Sequence, residues 1–429
     1  MPAVVDDGTP LCESEAARLF APLARHRLIA LAVSGGGDSM ALLHLYDRWR
    51  KACPQAPRAV VFTVDHGLRA EAADEAAMVA RHCETLRIPH KTLRWQGPRP
   101  ASGIQEAARA ARYSLMIGEM AVLGADALVL AHTCDDQAET FLDRLARGSG
   151  VYGLAAMAPE TRREGIVLAR PLLDVSRARL RTMLVAAGIA WVDDPSNEDS
   201  HYRRVRMRRL LPVLEREGLG RDRLVATARS MARAAAALDG WVDGIIAGDV
   251  MRHPAGPCRF AASLLECLPD EVALRLVARL LRDTGGASHV PRLARLEAAL
   301  ADLGSNEGRR TLAGCVMERR DGEILVHREI GRAGLDELEI RPGETGIWDR
   351  RFAVTLSADA AGPVRITALG AGGLRRAGLA PPQGWPRAAF AGAPAARRGG
   401  DVLALPGFDL TPAAQWRGSV VARRIGILR

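Results

Sequence analysis

Lysine is nearly missing from this chain of 429 residues: it occurs only as Lys51 and Lys91, so arginine carries almost all of the positive charge. Aromatic residues are scarce too, at 4%, which leaves few platforms on which nucleic-acid bases could stack. No apolar run approaches the length of a membrane-spanning helix, which argues against an integral helical membrane protein. The seven cysteines (12, 53, 83, 134, 258, 267 and 315) include no CxxC pair. A scattered, odd set speaks for reduced thiols in a cytoplasm and against a zinc ribbon or an iron–sulfur centre. The opening stretch MPAVVDDGTPLCESEA is acidic and polar, so no secretory or transit signal is expected.

The net charge of +9 is unevenly placed. Residues 341–429 hold 13 Arg against 5 Asp plus Glu, a balance of +8, and the rest of the chain is close to neutral. A genome-wide arginine bias would spread the excess; its concentration points to a module that binds a polyanion, nucleic acid first of all. A chain of this length exceeds one ordinary core, so two or three domains are expected.

The densest signal is LIALAVSGGGDSM over Leu28–Met40. A buried strand that breaks into three glycines and a helix start gathers backbone N–H groups around one concavity, which suits a polyphosphate. The Lys-Ser/Thr ending of a Walker A loop is missing, and Asp38 stands there instead. A carboxylate beside phosphates makes sense with a metal ion between them.

From Leu28 to Gly150 apolar strands alternate with amphipathic helices. Strands are expected at Leu28–Val33, Ala59–Val64, His90–Trp95 and Ala127–Ala131, and helices at Ser39–Lys51, Ala70–Arg87, Ile104–Leu123 and Asp136–Arg147. That pattern means α/β architecture with a parallel sheet covered on both faces, binding its ligand at the carboxyl ends of the strands. Helices Arg177–Ala187 and Arg203–Arg216 follow, with Ile189–Val192 extended between them. Ala/Leu/Arg-rich helix then runs from Arg221 to Leu303, broken at His253–Pro257, Pro269 and Gly285–Pro291. A hairpin of Thr311–Val316 and Glu323–Val326 closes it, a turn-rich stretch spans Gly331–Gly346, and short strands make a last domain. Ala393–Gly400 (APAARRGG) reads as a low-complexity, mobile loop.

Five further stretches bear chemistry: Thr63–Arg69 (TVDHGLR), Gly103–Tyr113 with Arg109 and Arg112 on one helix face, Leu130–Thr140 (LAHTCDDQAET), Arg170–Leu173 (RPLL) and Trp191–Asn197 (WVDDPSN). Each admits a plainer role. His132 fits a satisfied structural histidine, Asp135-Asp136 a helix N-cap with an acidic first turn, Arg109 and Arg112 exposed ion pairs, and Arg203–Arg209 a solvated basic face. Co-occurrence after strand ends favours a site.

SGGGDS resembles the signature of the N-type ATP pyrophosphatases, and with the other five motifs the chain resembles the tRNA(Ile)-lysidine synthase family, densely over residues 28–215. The resemblance implies a PP-loop, adenine nucleotide alpha-hydrolase-like catalytic domain over 1–216, a helical domain with its closing hairpin over 217–330, and a basic C-terminal α+β or mostly β domain over 341–429. It implies a cytoplasmic ligase that joins free L-lysine to C2 of the wobble cytidine of tRNA(Ile) with a CAU anticodon, using ATP and Mg²⁺, with no membrane and no protein partner. The base O2 attacks the ATP α-phosphate, pyrophosphate leaves, and the lysine amine then displaces AMP. Ser34, Gly35, Gly36, Gly37, Asp38 and Ser39 would bind ATP, with Asp38 and Asp136 on the metal and Arg112 and His132 on phosphate charge. Asp135, Asp136 and Glu139 are the candidates for lysine. For tRNA the candidates are Arg147, Trp191, Tyr202, Arg203, Arg204, Arg206, Arg208, Arg375 and Arg376. Val205 replaces an asparagine usual in the family, which puts a contact there in doubt. The competing expectations are another PP-loop tRNA-modifying enzyme, such as a thiolase, and a non-catalytic adenine-nucleotide-binding module.

Overall fold

The computed structural model describes residues 8–65, 67, 72–96, 104–163, 165–193, 203–287, 291–305, 308–408 and 419–424. The chain divides into two compact units, Met1–Ala235 with Arg429, and Ala236–Leu428.

The first unit is built on a six-stranded sheet of β1 (Leu28–Ala32), β2 (Arg58–Asp65), β3 (His90–Arg94), β4 (Ala127–Val129), β5 (Glu160–Arg163) and β6 (Ile166–Ala169). Its order is β3-β2-β1-β4-β6-β5, parallel throughout except for β5, which pairs antiparallel at the edge. The parallel sheet expected from the apolar strand runs is therefore present, extended by a hairpin that hydrophobic periodicity does not separate. Strand alternation sends Ile29 and Leu31 to one face and Ala30 to the other, each into its own core. The helices are α1 (Glu13–Phe20), α2 (Gly37–Ala52), α3 (Ala72–Leu86), α4 (Ile104–Leu123), α5 (Cys134–Leu145), α6 (Val151–Leu154), α7 (Arg177–Ala186) and α8 (Arg203–Arg216). Residues of α1, α2, α3 and α7 fill the first core, and Tyr113, Met116 and Met120 of α4 fill the second. A smaller cluster joins Phe141 and Leu142 of α5 to Leu224, Val225 and Ala228 of α9 (Arg221–Gly248). No helix among the described residues is long and apolar enough to cross a membrane.

The chain leaves β1 for β2 on one side and returns to β4 on the other. The carboxyl ends of β1 and β4 thus flank the point where strand order reverses, where a crevice opens in sheets of this kind. SGGGDS follows β1 and HTCDDQ follows β4.

The second unit contains helices Ala262–Cys267, Asp270–Gly285 and Leu293–Ser305 and a five-stranded antiparallel sheet. Strands Met251–Arg252 and Cys258–Ala261 belong to that sheet, on either side of the break at His253–Pro257, where the sequence suggested helix. The expected hairpin also differs: Thr311–Val316 splits into Arg309–Leu312 and Cys315–Arg320 around Ala313-Gly314, both with positive φ, and the longer strand pairs with Glu323–Arg328 across Asp321-Gly322. Ala-Gly is a weaker turn signal than Asp-Gly, so the first turn was hidden in an apolar run.

Two smaller antiparallel sheets complete the unit and share a core of Ile340, Trp348, Phe352, Val354, Leu356, Val364, Ile366 and Ala396. Leu338–Ile340 is a strand inside the stretch expected to be turns. The mobile loop expected at Ala393–Gly400 is likewise corrected, because Pro394–Arg398 is a strand paired on both sides, to Val364–Ala368 and to Asp401–Ala404. Ala395 and Ala396 are fully buried, small side chains where neighbouring elements pack closely, and Gly399-Gly400 supplies the hairpin turn. No disulfide forms among the described residues. Ala396→Leu should therefore overpack this core and cost about 1–3 kcal/mol in denaturant unfolding, whereas a surface loop would absorb it without loss.

Candidate active site

β1 delivers the chain to a loop that only glycine can make. Gly35 has φ +90°, and a side chain there would also press on Met78 of α3. Ser39 pins the loop from inside, its Oγ accepting from Ser34 N at 3.1 Å and donating to Gly36 O at 2.9 Å. No side chain caps α2 at Gly36. The first N–H groups of a helix have no partner within it, so this end is open to an anion. Val192 N donates to Gly35 O at 3.0 Å, and a Cβ on Gly37 would meet Trp191 at 3.4 Å. Trp191 is thus a half-buried cover over the loop, packed against the first core.

Asp38, in the first turn of α2, meets the acidic residues of α5 around Arg177 of α7. Thr133 caps α5 in a capping box with Asp136, whose Oδ2 accepts from Thr133 N at 2.9 Å. The N-cap role that competed for Asp135-Asp136 is thus real for this turn, with Thr133 as the cap, and it leaves Asp136 Oδ1 facing the site. There Arg177 donates from Nη2 to Asp136 Oδ1 at 2.9 Å, from Nε to Asp38 Oδ2 at 2.9 Å and from Nη1 to Glu139 Oε1 at 3.4 Å. Its backbone N–H donates to Asp135 Oδ2 at 2.8 Å. Glu139 is buried and also accepts from Arg208 Nε at 2.8 Å, while its Oε2 has no partner. Burial raises the Asp38 carboxyl above its usual range, an effect that Arg177 only partly offsets. For Asp136 burial pulls the same way, but Arg177, Arg204 and the Thr133 N–H outweigh it and hold the group below its ordinary value. Burial would weaken the Arg177 cation; Asp136, Asp38 and Glu139 instead raise its affinity for its proton.

The other half of the site is basic. Burial, then Arg109 and Arg204, pull the Arg112 guanidinium down against the opposing pull of Tyr113. Arg109 and Arg163 both lie over the Tyr113 ring, at 5.6 and 4.7 Å from its centre. Arg170 is held by Ala158 O and Thr161 Oγ1. His132 sits between the halves with Nδ1 unpartnered. Burial lowers its pKa to about 4, opposed by Asp136 and assisted by Arg170, Arg204 and Arg109. A neutral ring donates one hydrogen bond and brings no charge, so the cationic work here falls to arginine.

Of the expected tRNA residues, Arg203 and Arg147 both pair with Asp143, the latter at 3.0 Å, and Arg208 with Glu139. Arg204 and Arg206 are exposed on α8, and Arg375 and Arg376 are exposed in the second unit. Val205, in place of the family asparagine, is buried and acts as packing. Tyr202, His66 and the DPSN stretch after Asp193 lie outside the described residues.

Sequence pattern alone assigns no role to Arg177, and it marks Arg170 only as the start of the RPLL stretch. A signal was available for Arg177: it opens a helix behind the N-cap Ser176, where the macrodipole disfavours a cation, so something else must hold it there. We expect the His132 ring resonance to stay fixed between pH 7.5 and 5.5 in a histidine-labelled NMR titration. A midpoint near the ordinary 6.5 would overturn the buried, neutral assignment.

The PP-loop domain family matches residues 9–214. The chain is 46% identical over 322 residues to a tRNA(Ile)-lysidine synthase of Bradyrhizobium sp. (strain BTAi1), covering 72% of this chain and 87% of that protein. It is 45% identical over 333 residues to the tRNA(Ile)-lysidine synthase of Rhodopseudomonas palustris, covering 75% and 96%. With the tRNA(Ile)-lysidine synthase of Ruegeria pomeroyi identity is 40% over 385 residues, 89% of this chain and 88% of that one. A glycine loop and an acidic array at the switch point of a parallel sheet, together with these likenesses, place the chain in the tRNA(Ile)-lysidine synthase family.

Proposed function

We propose that the protein joins lysine to C2 of the wobble cytidine of tRNA(Ile) bearing a CAU anticodon, through an adenylated base, with release of pyrophosphate and AMP. The observation that carries the reading is the uncapped start of α2 beside the array of Asp38, Asp136 and Glu139. The helix start offers N–H groups to the triphosphate, and the arginines around His132 suit the charge that develops as the α-phosphate is attacked. The carboxylates fit a Mg²⁺ ion carried in with the nucleotide. Arg177 uses only Oδ2 of Asp38, and Mg²⁺ is commonly held by one or two carboxylates together with substrate phosphates. Asp38 would hold it through Oδ1, and it would neutralise polyphosphate charge; Asp136, the other expected ligand, already has both oxygens bonded, to Thr133 and Arg177.

The attacking amine must shed a proton from a group with a reference pKa of about 10.4. Of the three carboxylates open as lysine ligands, Asp136 has both oxygens engaged by Thr133 and Arg177. Asp135 faces the Arg177 N–H and Arg221. Glu139 alone keeps a buried oxygen without a partner, which favours it as the group that receives the ammonium.

The division of labour belongs to the same proposal: 1–216 performs the chemistry, and the basic stretch 341–429 adds grip on the tRNA backbone. The target base must leave the anticodon stack to react, and α8 with Arg204 and Arg206 lies beside the site to hold its flanks.

Incubating a CAU-anticodon isoleucine tRNA transcript with the protein, ATP, Mg²⁺ and lysine should yield lysidine on nucleoside mass spectrometry. Asp38→Asn should abolish pyrophosphate release. No lysidine from the unaltered protein, or full release by the variant, would refute the reading. Replacing Arg375 and Arg376 by Gln in the full chain should weaken tRNA binding and reduce its salt slope by about 0.7–0.9 for each phosphate that is no longer neutralised, with ATP binding unchanged. An unaltered slope would make these arginines a solvated surface.

A further inference from the structure

Arg177 sits where neither local structure nor the steps above require an arginine. It is the first residue of α7, set against the helix dipole, and its side chain is largely shielded from solvent. Yet its three guanidinium nitrogens reach three carboxylates on two other elements: Asp38 on α2, and Asp136 and Glu139 on α5. Its backbone N–H takes a fourth, Asp135.

We propose that Arg177 is the positioning residue that joins the two halves of the reaction, fixing Asp38 on the ATP side and Glu139 on the amine side in one array. The inference rests on the function proposed above. Carboxylates crowded into a half-buried pocket repel one another strongly at the effective dielectric of such a site, and without an intervening cation their side chains turn away. The planar fork sets their spacing as well as their charge balance, because each nitrogen donates in a fixed direction. Lysine would supply the charge without the spacing. The surroundings support the same division: Arg208 shares Glu139 Oε1 with Arg177, so both protein donors take one oxygen and leave Oε2 for an incoming group.

The test is single-turnover kinetics on the full chain, with pyrophosphate release and lysidine formation followed separately. Arg177→Met should slow both steps, each by about 100-fold, as misplacement of reacting groups by roughly 1 Å does, and should raise the KM for lysine. Glu139→Gln should slow lysidine formation more than pyrophosphate release. Arg177→Lys should recover little, whereas methylguanidinium added to Arg177→Ala should restore part of both steps. A side chain needed only for folding would lower the melting midpoint and leave the lysine KM of the folded fraction alone. Unaltered rates and lysine KM in Arg177→Met overturn the inference, as does full activity in Arg177→Lys. Should the Met variant not fold, Arg177→Lys and Arg177→Gln decide by the same criterion. Absence of lysidine with the unaltered protein counts against the proposed function itself, and failure confined to the variants counts against Arg177 alone.

Discussion

Gathering Asp38, Asp135, Asp136 and Glu139 into one pocket is unfavourable unless something holds the like charges together, and one arginine touches all four. Arg177 meets three of the carboxylates through its side chain and the fourth through its backbone N–H. A buried ion pair is a weak source of net stability, because desolvation offsets attraction. What this arrangement supplies is definition: each carboxylate has one orientation, set by a donor of fixed direction. Ser176 caps α7 and Thr133 caps α5, so the elements that carry the array are themselves anchored at the ends that face it.

That pocket exists because of how the sheet is wound. β1 is paired in parallel to β2 and β4, and strand order reverses around it. The loop after β1 and the loop after β4 are far apart in sequence and adjacent at the same sheet edge, so an anion-binding helix start and an acidic helix start face one crevice. Apolar burial on both faces leaves the strands no other register, since a slip of one residue would turn Ile29 and Leu31 out of their core. Thr63 on β2 adds a lock, donating to Val33 O at 2.9 Å just ahead of the glycine loop.

The second unit solves a different problem, that of holding many arginines in and around small sheets. Asp349 and Arg350 both adopt positive φ in the turn between Thr345–Trp348 and Phe352–Leu356, a conformation costly for residues with a Cβ. Asp349 is held there by Arg328, through bonds of 2.9 Å to each carboxylate oxygen, and by the buried Arg351. The turn is thus specified by ion pairs of Asp349 rather than by glycine, which is why turn residues alone do not reveal it.

The parallel sheet, the glycine loop and the helix starts were legible in the amino-acid order, because periodicity, Gly35 and an apolar strand run are local properties of the chain. Asp38 stood out there too, since a carboxylate in an anion-binding loop is anomalous wherever it folds, whereas Asp136 and Glu139 were marked, together with Asp135, only by the family resemblance. The buried strand at Ala395 and Ala396 did not, because alanine carries little intrinsic preference between a loose loop and a tight interior, and pairing on both sides decided the matter. Nor did Arg177. An arginine gains meaning from what surrounds it, and the carboxylates that surround this one come from positions some 40 and 140 residues earlier in the chain. Folding alone brings those positions within hydrogen-bond reach, and only there does the low-dielectric pocket make one cation among several anions a structural necessity.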